Sequence, residues 1–134
     1  MHTPESENWL ENLQAIVPCR TISVMQLDQG LRILDIVAYH GFLDAPHLSL
    51  PLGVGIAGVV AETGVTACVH DVSSDTRFLA AELDMEALLS IPITSRDDLI
   101  LGVVNLSDPN SPEGFGPEAV NEAENYVRQN AFPF

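Results

Sequence analysis

The sequence predicts an α+β fold: a mostly antiparallel sheet with helices packed on it. Three observations predict it. The apolar patterns run helix, two strands, helix, three strands, helix. The strand patterns adjoin in pairs across short polar turns, which is how hairpins read. Helical patterns are too few to alternate with every strand, so a parallel βαβ sheet does not fit.

The elements follow in order. Residues 6–17 read as a helix, with Ser6 as N-cap and Trp9, Leu10, Leu13, Ile16 and Val17 at helical spacing. Pro18 ends it. Residues 20–27 read as a strand, and the turn Asp28-Gln29-Gly30 leads into a second strand over 31–40, with Gly30 expected to take the positive φ of the reversal. Residues 41–53 read as a loop, because Pro51 is ill-suited to a central strand. Residues 56–64 read as a short helix closed by Gly64, and 65–72 as a short strand. Residues 73–87 begin as a turn and continue as a polar stretch. The strands 88–94 and 99–107 form the strongest hairpin. After a loop over 108–117, residues 118–130 give an amphipathic helix with Ala119, Val120, Ala123, Tyr126 and Val127 on one stripe.

Composition narrows the function. The chain has 134 residues, 46% of them apolar, which suits one domain with an aliphatic core. Nineteen acids stand against five arginines, with no lysine, for a net charge of −14. Binding to nucleic acid or to an anionic membrane needs clustered cations, so both are disfavoured. No apolar run reaches the roughly 20 residues of a membrane helix. The N-terminal stretch "MHTPESENWLENL" lacks the apolar core of a signal peptide. The expected location is cytoplasmic, with Cys19 and Cys68 as buried thiols. The histidines at 2, 40, 47 and 70 lack metal-ligand spacing, and no metal site is expected.

Gly53-Val54-Gly55-Ile56-Ala57-Gly58 spells G-x-G-x-x-G, and Asp71 follows at a distance that suits a ribose. The context fails. A dinucleotide fold needs a strand directly before the first glycine and βαβ units after it. Here "HLSLPLG" precedes it and hairpin strands follow. Gly53 and Gly55 are read instead as a tight loop, and Gly58 as a close approach of the helix to the sheet.

Taken together, residues 50–78 with "LLSIPIT" and "LILGVVNLSD" resemble the GAF domain family of small-molecule sensor modules. The residues that carry the resemblance are Gly53, Gly55-Ile56-Ala57-Gly58, Thr63-Gly64, Asp71-Val72, Asp75, Arg77-Phe78, Pro92 and Gly102-Val103-Val104-Asn105-Leu106. It spans about 8–130 of a single domain, 1–134. It implies a central sheet of five to six strands, and a pocket on one sheet face under a lid that holds the glycine helix and the loop from Asp71 to Phe78. Family ligands include cyclic nucleotides, tetrapyrroles, haem, nitrate and 2-oxoglutarate; no cofactor is named by this sequence. Occupancy would be passed to an output domain or a separate signalling protein, from a homodimer.

The departures bear on the ligand. The lysine of the cyclic-nucleotide pattern is replaced at Leu106, and no cysteine stands in 73–87 to hold a bilin. Free methionine sulfoxide reductase, an enzyme on this fold, has a cysteine where Ile56-Ala57 stand here. No catalytic site is expected.

Each candidate has a plain structural alternative. Cys68 and His70, two apart on a strand, would share a face and could both reach the pocket; otherwise Cys68 is a small core residue and His70 is exposed. Arg77 could grip an anion in bidentate fashion, or else pair with Asp75. Phe78 would stack on a planar ligand, or anchor the lid. Asp71 is read as a turn carboxylate that accepts backbone N–H bonds. The resemblance adds Ser23, Tyr39, His40, Ile56, Ala57, Ser90 and Val104 as ligand-site walls. The alternative function is a ligand-free interaction module, its pocket filled by Phe78 and Tyr39 and its terminal helices forming a dimer or partner interface.

Overall fold

The computed structural model describes residues 3–43, 46–77 and 85–134. Helix α1 spans Pro4–Ile16. Its N-cap is Thr3 and not Ser6: the Thr3 hydroxyl accepts from the Ser6 N–H at 3.1 Å, and the Ser6 hydroxyl accepts from the Thr3 N–H at 2.8 Å. Pro4 explains the shift, since its fixed φ and missing N–H suit the first helical position.

Strands β1 (Cys19–Asp28) and β2 (Ile33–Gly41) pair antiparallel. In the turn between them, the Asp28 carboxylate accepts from the Leu31 N–H at 2.9 Å. The left-handed residue is Arg32, with φ 57°, and not Gly30. Residues 41–53 are not all loop. Ser49–Pro51 forms a short strand, β3, against Ile33–Asp35. Pro51 is tolerated because β3 lies at the sheet edge, where one side needs no N–H donor.

Helix α2 (Gly55–Thr63) ends at Gly64 in the left-handed conformation. Gly53 and Gly55 take φ of 84° and 76° in the loop that enters it. A Cβ on Gly58 would lie 2.8 Å from the Pro51 carbonyl oxygen, so only glycine lets α2 sit this close to β3. Strand β4 (Ala67–Val69) and a 3₁₀ turn (Val72–Ser74) follow. Strands β5 (Leu88–Thr94) and β6 (Ile100–Pro109) form the second hairpin. Helix α3 (Pro117–Gln129) closes the fold. The six-stranded sheet has the order β3-β2-β1-β6-β5-β4, antiparallel at each pairing.

Alternation along the strands supplies two apolar faces. One face carries Ile22, Val24, Leu89, Ile91, Val104 and Leu106 against α1 and α3. Trp9 anchors it: its indole N–H donates to the Asn130 carbonyl at 2.7 Å, and its ring meets Tyr126 and Phe132 edge-on. The other face carries Met25, Leu27, Leu34, Leu88 and Val103 against Ile56, Ala57, Val60 and Ala61 of α2. No helix among the described residues is long and apolar enough to cross a membrane.

Candidate functional site

The α2 face changes character partway along the strands. Met25, Val103 and Pro92 form one row across β1, β6 and β5, beside α2. Two residues along each strand, the row on the same face is Tyr39, Ser23, Asn105, Ser90 and Ala67, in register across β2, β1, β6, β5 and β4. Thr21 and Ser107 pair in the next row. A stripe of neutral polar side chains thus crosses an otherwise aliphatic sheet face.

Two members are bonded to each other. The Ser90 hydroxyl, fully buried, donates to Asn105 Oδ1 at 2.8 Å. That bond fixes the amide with its NH₂ free to donate elsewhere. Thr21 Oγ1 donates to the Phe42 carbonyl, which ties the strand to the chain leaving β2. Ser23 differs. It is only 7% exposed, yet its hydroxyl has no hydrogen-bond partner among the described residues. No sealed side-chain nitrogen or oxygen lacks a partner there. The Ser23 oxygen is therefore not sealed from solvent.

Described residues on either side of 78–84 meet this face. Val72 and Met85 pack into the α2-side cluster. At the start of the 3₁₀ turn, the Asp71 carboxylate accepts from the Ser73 N–H at 3.1 Å and from the Ser73 and Ser74 hydroxyls at 2.6 and 2.8 Å. These bonds hold its pKa below the ordinary carboxylate value. Asp71 is thus the turn carboxylate that the sequence suggests. Arg77 meets Asp75 in a two-pronged pair, Nε to Oδ1 at 2.9 Å and Nη2 to Oδ2 at 2.7 Å. The pairing raises the arginine pKa and lowers that of Asp75. The Nε/Nη2 edge of the guanidinium is thus already engaged by its own neighbour.

The remaining candidates do not converge. Val104 is fully buried on the α1/α3 face; alternation along β6 turns Asn105, not Val104, toward the stripe. His40 also faces α1, with Nδ1 2.6 Å from Gln14 Oε1 and Nε2 3.6 Å from Glu7. Glu7, Glu11 and His40 bring three potential metal-ligand atoms within 4.8 Å of one another at this outer position, away from the stripe. Ile56 and Ala57 are buried in the apolar half. Cys68 is exposed rather than buried, and its thiol points to the Phe115 carbonyl at 3.7 Å, because Ala67 and Val69 take the α2 side of the short strand. His70 is exposed and lies against Gly114. Cys19 is buried on the α1/α3 face, and burial pushes its thiol pKa up to about 12. Phe78 lies outside the described residues. The structure thus brings together Ser23, Tyr39 and Ser90, and it adds Asn105, Thr21 and Ser107. Alternation in 103–107 marks Asn105 and Ser107 as one face, but only the register shows that Ser23 and Ser90 lie beside them.

Comparison with known proteins gives the context. The family model described as "GAF domain" matches residues 6–131. Protein ZMO0507 of Zymomonas mobilis subsp. mobilis is 34% identical over 62 residues, which cover 46% of this chain and 38% of that protein. The chain thus spans well under half of the length of that relative. Among solved structures, the GAF domain/HD domain protein from Geobacter sulfurreducens superimposes with a TM-score of 0.79 at 15% identity, covering 95% of this chain and 89% of that one. The free methionine-R-sulfoxide reductase from Neisseria meningitidis, solved with its substrate, superimposes with a TM-score of 0.68 at 18% identity, covering 96% and 82%. At such identities these two likenesses concern the fold.

Proposed function

We propose that this chain, which belongs to the GAF domain family, is a small-molecule-sensing regulatory module whose ligand rests on the stripe Tyr39–Ser23–Asn105–Ser90. The observation that carries this reading is the Ser23 hydroxyl: nearly buried, unpartnered among the described residues, and set in a polar row that costs the sheet apolar burial. A purely structural face would place valine or leucine there, as the opposite face does at Val24 and Val104. Occupancy would act through the segment from Asp71 to Arg77, whose Val72 packs in the α2-side cluster, and would be relayed to an output domain or a separate signalling protein.

Catalysis is not part of the reading. The reductase that shares the fold is an enzyme by its name, and the free thiols of this chain are Cys19, sealed on the other face, and Cys68, turned toward Phe115. The ligand-free interaction module is less well supported, since a filled pocket would leave no open hydroxyl at Ser23. A homodimer and a cytoplasmic location belong to the proposal. The test is a thermal-shift panel of small metabolites on the purified chain. A ligand at about 100 times its Kd stabilises by about 2.7 kcal/mol, a melting shift on the order of 10 °C here. The shift is expected to vanish in Ser23→Val; a shift that survives it would remove the stripe from the site.

A further inference from the structure

The proposal above leaves the chemistry of the ligand open, and the distribution of charge closes much of it. Desolvating an anion against a sheet needs a cation or several aimed N–H donors in return. The chain has five arginines and no lysine. Arg77 follows Val72, which packs in the α2-side cluster, and the Nε/Nη2 edge of its guanidinium is held by Asp75. Arg20 is largely exposed, 3.7 Å from Asp108 and stacked over the Phe42 ring. Arg32 and Arg96 are exposed in the β1–β2 and β5–β6 turns, beyond the apolar half of the sheet. Arg128 is on α3, against the other face, and bonds Asn125. Residues 78–84 add to the sequence Glu82 and Asp84 but no base. A net charge of −14 repels anions at longer range as well. A cation finds no better welcome, because the row Tyr39–Ser23–Asn105–Ser90 contains no carboxylate.

What the stripe offers is neutral, and only its Ser90–Asn105 Oδ1 contact is already bonded. With Asn105 Oδ1 taken by Ser90, the Asn105 amide presents N–H donors, and the Ser23 hydroxyl both donates and accepts. We infer that the ligand is a small uncharged molecule bearing a carbonyl or carboxamide edge, bound by neutral hydrogen bonds, and not a carboxylate, phosphate or nitrate. This inference rests on the stripe being the ligand site. It departs from the sequence expectation of an anion at Arg77, because the Nε/Nη2 edge of that guanidinium already holds Asp75, whose carboxylate offsets its charge.

The experiment uses a fragment library of matched pairs, each scaffold as its carboxamide and as its carboxylate, followed by ligand-observed NMR. Wild type is compared with Ser23→Leu, which replaces the hydroxyl with a larger apolar side chain. If the leucine variant does not melt cooperatively, Ser23→Ala serves instead by removing the hydroxyl alone. The expected result is a set of carboxamides that bind wild type, lose binding in the variant, and exceed their carboxylates by about tenfold in affinity, near 1.4 kcal/mol. Carboxylates that bind equally well or better at a Ser23-dependent site would overturn the inference and leave the sensor reading standing. Absence of any Ser23-dependent binding would remove the sensor site itself, and the inference with it.

Discussion

On one side of the sheet, Trp9, Tyr126, Phe132 and Phe134 stack edge to edge over a seamless aliphatic layer. On the other side of the same strands, the aliphatic layer under α2 gives way after Met25 and Val103 to hydroxyls and an amide. The strands are shared, so backbone pairing contributes alike to both sides. The difference lies in what the side chains do. The α1/α3 face spends its aromatic surface on holding the helices, while the polar half of the α2 face forgoes burial that valine would supply. Proteins give up stability in this way where a surface must meet something other than themselves.

That contrast is best broken by variants on each side. The largest effect belongs to Trp9→Ala. It removes an indole that is 5% exposed, its bond to Asn130 and two ring contacts. Denaturant unfolding should show a loss of about 3–5 kcal/mol. A loss below about 1 kcal/mol would mean that the aromatic layer is not what holds this face.

On the stripe, Ser90→Ala removes the fully buried donor to Oδ1 of the half-buried Asn105. An acceptor left without its partner costs about 1–3 kcal/mol. Equilibrium unfolding should place this variant between Trp9→Ala and wild type, and full wild-type stability would show that Asn105 finds another donor.

Much of this contrast was legible in the sequence, and the rest failed for identifiable reasons. Strand 88–94, the left-handed Gly64 and the stripe of the last helix follow from local pattern, because each depends on residues near one another in the chain. The turn before β2 went to Arg32 rather than Gly30 because the Asp28 side chain reorganises it, and glycine content alone does not reveal that bond. Pro51 reads as a strand breaker unless one knows that β3 lies at an edge. The site shows the same limit more sharply. Ser23 and Ser90 are recognisable as candidates, but Val104 turns to the α1/α3 face while its neighbour Asn105 turns to the stripe, since in a strand one residue reverses the face. Arg77 reads as a free cation until its geometry with Asp75 is known.

The pH dependence is a smaller and local effect. Asp75 has a lowered pKa, chiefly through its hydrogen bond with Arg77. A depressed carboxylate contributes stability that is fully present above its unfolded value, about 3.9, and is lost as the pH falls through the lower folded value. Amide exchange over 71–77, after correction for intrinsic rates, should therefore accelerate below about pH 4 before the α1/α3 face responds. Simultaneous loss of protection on both faces would show that the segment is not an independent unit.

The central claim is that the stripe serves a ligand and not the fold, and the stability of Ser23→Val tests it most directly. The lost hydroxyl has no partner among the described residues, and valine adds apolar surface at a position that is nearly buried. The account predicts an unfolding free energy equal to wild type, or higher by up to about 1 kcal/mol, near the value of one buried methylene. A loss of more than about 1 kcal/mol, the worth of a typical intramolecular hydrogen bond, would show that the Ser23 hydroxyl is part of the fold and would contradict the account.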